Sequence, residues 1–160
     1  MHIFAVRLIL EDDGKLLFLR QTKRNGGRYT LIGGNVEDHE FAREALAREA
    51  LEEAGIKVNP SDLTLVHVLH RHKLKKDETL LVLYFKAAVF QGQPLSKEPH
   101  KFTDVSWFSS NQLPEEVSKP TLHVLGCVRS GLIYSEFPSR TKVLEFWEQF
   151  GNQWLWNLKD

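Results

Sequence analysis

Cysteine is almost missing from this chain: Cys127 stands alone. A single thiol excludes an internal disulfide and any cysteine-rich zinc site, and it suits a reducing compartment. Its default reading is a small buried apolar residue. Net charge is missing too, with 21 Lys and Arg set against 21 Asp and Glu. Without a global field, nucleic acid and anionic membrane are not expected partners. No apolar run approaches the roughly 18 residues of a membrane span, and the N-terminus has no signal-peptide pattern, so the expected location is cytoplasmic. Internal repeats, low-complexity tracts and interdomain linkers are also lacking. The 160 residues suit one domain over 1–160, enough to bury about two-thirds of the surface of the unfolded chain.

What the chain does have is the stretch from Gly33 to Ile56, GGNVEDHEFAREALAREALEEAGI. Ala42, Ala45, Leu46, Ala47, Ala50, Leu51 and Ala54 are strong helix formers, and Gly55 stands where a helix stops. On a helical wheel Leu46, Ala47, Ala50, Leu51 and Ala54 form one side, with Glu49, Glu52 and Glu53 together roughly opposite. Like charges so spaced cost on the order of 0.2–0.5 kcal/mol per pair. Three bare glutamates in this pattern read as a solvated helix face. Alternatively a hard divalent cation offsets the repulsion, since Mg²⁺ takes carboxylate oxygens and keeps room for water and substrate phosphate.

The surrounding residues decide between these. From Gly34 the chain reads glycine, five residues, Glu40, seven residues, Arg48-Glu49-Ala50, one residue, Glu52-Glu53, one residue, Gly55-Ile56. This box over 34–56 resembles the signature of the Nudix (MutT-like) hydrolases at every fixed position. The resemblance implies an α+β fold, an α/β/α sandwich with a mixed β-sheet flanked by helices. It implies Mg²⁺ as cofactor, with Mn²⁺ able to substitute, bound by Glu49, Glu52, Glu53 and the carbonyl of Gly33. It also makes Arg48 a brace for a glutamate and Glu40 a supporting charge at the start of the box helix. The general base is Glu49 or, second, Glu98 on a downstream loop. Many members have proline where this chain has Ile32, glycine where it has His39, and a larger aliphatic where it has Ala50.

Along the rest of the chain, His2–Leu10 and Lys15–Arg20 flank Glu11-Asp12-Asp13-Gly14 as a hairpin signal. Gln21–Arg28 reads as a basic loop, and Tyr29–Ile32 as an extended piece leading into Gly33-Gly34. Ile56–Val58 reads as a short strand. Leu63–Arg71 and Thr79–Phe90 read as a second hairpin, Val105–Phe108 as a strand, and Ser109–Pro114 as a turn with a brief helical piece. A helix is expected from Lys119 to Ser130, with Pro120 in its first turn and Gly131 at its end. Another is expected over Arg140–Phe150, in an aromatic-rich tail about 140–160 where Trp154, Leu155 and Trp156 suit core or a homodimer contact.

The expected activity is hydrolysis of a phosphoanhydride bond in a nucleoside diphosphate derivative. Glu98-Pro99-His100-Lys101, followed by Val105–Phe108 and Leu113-Pro114, resembles a pattern of members acting on (deoxy)nucleoside triphosphates. ADP-ribose, a dinucleoside polyphosphate, or a catalytically silent nucleotide-sensing module are the alternatives. Arg20, Arg28, Tyr29, Gly34, Arg71 and Phe108 are the expected substrate contacts. His67, His70 and His72 raise a zinc site, but only His70 and His72 share a strand face and no third ligand accompanies them. They are read as solvent-facing or pocket-lining.

Overall fold

The computed structural model describes the backbone of residues 1–150 and the side chains of 1–145. Its strands are β1 (His2–Ile9), β2 (Glu11–Asp12), β3 (Lys15–Gln21), β4 (Tyr29–Thr30), β5 (Leu63–Lys73), β6 (Glu78–Ala87), β7 (Phe102–Ser109) and β8 (Tyr134–Phe137). Its helices are α1 (Ala42–Ala54), α2 (Lys119–Arg129) and α3 (Arg140–Phe150). One sheet runs β1-β6-β5-β8, mixed because β1 and β6, and β5 and β8, pair in parallel while β5 and β6 are antiparallel. The second sheet is antiparallel: β7 runs along one edge of β3, and the short β2 and β4 pair with the two ends of its other edge.

Alternation along the strands distributes the core between two layers. Val6, Leu8, Leu10, Leu17 and Leu19 pack with Leu46, Ala50 and Ala54 of α1. Ala5, Ile9, Leu16 and Phe18 face the other way, with Val82, Tyr84 and Val124 of α2. This is the α/β/α layering expected, and it makes β1 and β3 apolar on both faces.

Several local expectations need correction. His2–Leu10 and Lys15–Arg20 do not form one hairpin: the chain changes sheet at Leu10, and only Glu11 and Asp12 pair back onto Leu16 and Lys15. β1 takes the non-local partner β6 and stands at the end of that sheet, its other edge joined only by the bridges Ala5 to Asn35 and Leu8 to Ile32. Residues 56–58 contribute a single bridge, Lys57 to Gln91, instead of a strand. The segment 110–118 holds turns and no helix, and β8 was not foreseen. The hairpin of β5 and β6 and the helix α2 form as expected, α2 capped by Ser118 Oγ accepting from the N–H of Thr121. Gly131 follows α2 at φ 73, a conformation that costs glycine nothing. Trp154, Leu155 and Trp156, on which the homodimer expectation rested, lie outside the described residues.

Candidate active site

The site grows out of how closely α1 approaches the sheet. Ala45, Ala50 and Ala54 are fully buried, and such small side chains let the helix sit near β1. Glu49 and Glu53 share that flank and are buried as well, with 9% and 4% of their surface exposed. The wheel needs correcting here: Leu51 is 47% exposed and the inner face is rotated onto the two glutamates. What covers them is the Gly33-Gly34 segment, tied to β1 by Val6 N–H to Gly34 O and Leu8 N–H to Ile32 O, both 2.9 Å.

Burying carboxylates is expensive unless their oxygens are bonded. The Gly33 N–H donates to Glu53 Oε2 at 2.9 Å. Arg48 Nη1 donates to Glu49 Oε1 at 2.9 Å and to Glu52 Oε2 at 3.1 Å, while its Nε donates to Glu40 Oε1 at 2.8 Å. A Cβ on Gly34 would collide with the Glu49 carboxylate, and one on Gly33, which has φ 143, would collide with the carbonyl of Val6. Gly33 is therefore required by close approach to backbone as well as by backbone angle, and Gly34 by its approach to the Glu49 carboxylate alone.

Burial pushes the Glu53 carboxyl up to about 7; the charges of Glu49 and Glu98 push the same way, and the Gly33 N–H and the Arg7 guanidinium pull it down. The Arg48 hydrogen bond holds Glu40 below the usual carboxylate range, and Glu40 in turn holds Arg48 above the usual arginine range. Glu40 does not open α1: it precedes the helix, which begins at Ala42, and turns its carboxylate to Arg48.

The loop before β7 comes alongside. Lys97 N–H donates to Glu53 O at 3.0 Å, which sets Glu98 near the end of α1. Lys101 Nζ pairs with Glu98 at 2.9 Å, and that contact raises the lysine above its ordinary range, helped by the charges of Glu53 and Glu49. Glu49, Glu53, Glu98 and Lys101 thus share one electrostatic site. Glu52 stands apart, exposed and held by Arg48. Among the described residues no three His, Cys, Asp or Glu side chains converge tightly enough to hold a metal ion. The donor set nevertheless fits a hard cation: the Glu49 charge helps push the Glu53 carboxyl up, a repulsion a cation would relieve, and Mg²⁺ asks for only one or two carboxylates before substrate phosphate.

Of the expected substrate contacts, three come together. Arg20 lies 4.6 Å above the Tyr29 ring, and Tyr29 meets Phe108 edge-on at 4.9 Å. Arg20 also pairs with Glu116 at 3.4 Å. Arg28 is exposed at the end of its loop. Arg71 is on β5, half-buried, and its Nε is buried without a partner.

A family model describing the NUDIX domain matches residues 1–126. The chain belongs to the NUDIX family. By that membership it is a Nudix pyrophosphohydrolase. It is 29% identical over 123 residues to a MutT-like protein of Streptomyces ambofaciens, covering 74% of this chain and 71% of that one. It is 26% identical over 113 residues to the NAD-capped RNA hydrolase NudC of Vibrio atlanticus, covering 71% of this chain but only 38% of that relative. The MutT Nudix hydrolase structure from Burkholderia pseudomallei superposes with a TM-score of 0.73 at 25% identity, covering 79% of this chain and 97% of that one.

In this Nudix chain the histidines serve the fold. His67 is fully buried, not solvent-facing, with its ring nitrogens 2.8 Å from Leu132 O and from Ser135 Oγ. His70 and His72 do share a face, their rings 5.0 Å apart. His39 is exposed and sits at φ 67, the left-handed conformation natural to a glycine at that position. Cys127 is buried beside His123, 3.7 Å away. Arg7, whose charge reaches Glu53, and Lys101, paired with Glu98, were not among the expected contacts. A lone arginine inside the apolar run HIFAVRLIL was the available signal for the first.

Proposed function

We propose that this Nudix enzyme hydrolyses a phosphoanhydride bond of a (deoxy)nucleoside triphosphate, releasing a nucleoside monophosphate and the remaining phosphate-containing part. The observation that carries the reading is the pair of buried carboxylates, Glu49 and Glu53, closed over by Gly33 and Gly34. Glu49, Glu53 and the Gly33 carbonyl would hold the divalent cation, Mg²⁺ or Mn²⁺ in its place, and Glu52 would join them on leaving Arg48. When bound it neutralises charge on the phosphoryl oxygens and makes a water more acidic.

The residues then divide the work. Arg48 ties Glu40, Glu49 and Glu52 into one unit and so fixes where the carboxylates stand. Glu53 is oriented by the Gly33 N–H. Lys101 occupies both oxygens of Glu98, at 2.9 and 3.1 Å, whereas Glu49 Oε2 accepts no hydrogen bond among the described residues. Glu49 is accordingly the proton acceptor for the attacking water, and Glu98 with Lys101 lines the site. Tyr29 and Phe108 offer aromatic faces to a base, with Arg20 against the Tyr29 ring. The pattern Glu98-Pro99-His100-Lys101 with Val105–Phe108 supports a triphosphate, and the NudC relatives, NAD-capped RNA hydrolases, make a dinucleotide pyrophosphate the alternative.

A phosphate- and nucleotide-release screen with Mg²⁺ over nucleoside triphosphates, ADP-ribose, dinucleoside polyphosphates and NAD tests this. Fastest turnover on a triphosphate is expected. Faster turnover of ADP-ribose or NAD would reassign the substrate, and micromolar nucleotide binding without turnover would make the chain a sensor.

A further inference from the structure

Two arginines, Arg7 on β1 and Arg71 on β5, form no ion pair within 4.0 Å among the described residues. Arg20, Arg48, Lys73, Lys86 and Lys101 each have an acidic partner within 4.0 Å. Arg7 and Arg71 have none among the described residues. Arg71 in addition buries an Nε with no hydrogen bond. A buried, unbonded donor on a charged group is costly, so its retention calls for a ligand.

The fold sets these charges beside the carboxylates. Arg7 stands between the bridges that join Ala5 to Asn35 and Leu8 to Ile32, where the strand edge meets Gly33. Its Nη1 donates to Val6 O at 2.8 Å, the carbonyl that a Cβ on Gly33 would strike. The N–H of that same glycine holds Glu53, and the Arg7 charge reaches the Glu53 carboxyl. On β6, Tyr84 pairs in register with Arg7. The Tyr84 phenol is raised by burial and drawn back by Arg7 and Arg71 together. Burial holds Arg71 below the ordinary arginine range, with Arg7 repelling it further. Arg7, Tyr84 and Arg71 thus lie on three neighbouring strands, β1, β6 and β5, on the sheet face away from α1, where an anion would relieve the repulsion between the two guanidiniums.

We propose that Arg7 and Arg71, with the Tyr84 hydroxyl, form an anion site that grips the phosphate oxygens of the bound nucleotide on the side of β1 away from α1. The inference deepens the nucleotide reading above and rests on it. Opposite charges then face each other across Gly33: Glu49 and Glu53 act through the cation, Arg7 and Arg71 directly on oxygen. Arginine suits this role because its planar donors match phosphate geometry.

The test uses the full chain with saturating Mg²⁺ and titrates inorganic pyrophosphate by calorimetry into wild type, Arg7→Gln, Arg71→Gln and Arg7→Lys. Each glutamine variant is expected to bind pyrophosphate roughly ten- to hundredfold more weakly, and the lysine variant to recover part of the loss. Mn²⁺ binding without pyrophosphate should stay as tight or tighten in Arg7→Gln, since a cation beside Glu53 is gone. The ligand-free melting temperature of Arg71→Gln should hold or rise, because an unbonded buried donor is removed; an arginine that merely supports the fold would move it down. Wild-type pyrophosphate affinity in both glutamine variants, or a wild type that binds no pyrophosphate, would overturn the site. Wild type that binds pyrophosphate through these arginines yet turns over no nucleotide would instead sustain the site and refute the enzyme reading.

Discussion

The N–H of Gly33 donates to Glu53 Oε2 at 2.9 Å across 20 positions of sequence, and that one bond aligns the loop, the helix and the strand between them. Gly34, next in line, lies so close to Glu49 that no side chain fits. Gly34→Ala should therefore displace the Glu49 carboxylate. A loss of about 100-fold in kcat is expected from a misplacement on the scale of a methyl group, with stability lowered by about 1–3 kcal/mol. Steady-state kinetics and thermal melting of the same preparation check both.

Glu53 sets a pH dependence with a definite sign. Its carboxyl titrates at about 7 in the folded chain against an ordinary 4.5, so the folded state holds the proton more tightly than the unfolded one. The stabilisation is complete below the unfolded value and is lost as pH rises through about 7, by on the order of 3 kcal/mol without metal. Metal-free melting from pH 5 to 8 should fall, Mg²⁺ should restore stability at pH 8, and Glu53→Gln should flatten the metal-free slope. Equal slopes in wild type and Glu53→Gln would refute the assignment.

Arg48 serves three carboxylates at once. Arg48→Ala should cost about 1–3 kcal/mol, because the part-buried Glu40 and Glu49 lose a charge-assisted partner. Arg48→Lys should recover less than half, since a single ammonium cannot reproduce the fork of Nε and Nη donors. Urea unfolding of the three proteins measures the order wild type, lysine, alanine.

His39 occupies a left-handed backbone position at φ 67 and is exposed. His39→Gly should stabilise the chain by a few tenths to about 1 kcal/mol, the relief of backbone strain exceeding the added freedom of the unfolded chain. Unchanged kcat is expected with it, and chemical denaturation reads the gain.

The legible parts of the molecule were those written in local spacing. Helix α1, its stop at Gly55 and the nearness of Glu49 to Glu53 follow from residues three or four apart, as does the hairpin of β5 and β6 from two β-rich runs around a polar turn. Pairing between distant segments was not legible. β1 takes β6 as its neighbour because two strands remote in sequence both expose apolar faces to α1 and α2. The burial of Glu49 and Glu53 was hidden for the same reason: the covering segment, Gly33-Gly34, comes from the other side of the loop. Arg7 and Arg71 could be seen as charges in apolar strands, but their proximity to each other and to Glu53 depends on register. Glu52 was grouped with its neighbours by spacing, whereas Arg48 draws it outward.

The central claim is that Glu53, buried and bonded to Gly33, holds a divalent cation at which the phosphoanhydride is cleaved. Mn²⁺ binding and saturating-Mg²⁺ turnover of a nucleoside triphosphate, measured side by side for wild type and Glu53→Gln, test it most directly. The account predicts Mn²⁺ affinity at least tenfold weaker and kcat about 1,000-fold lower in a variant that still folds. Wild-type kcat in Glu53→Gln at saturating Mg²⁺ would contradict it.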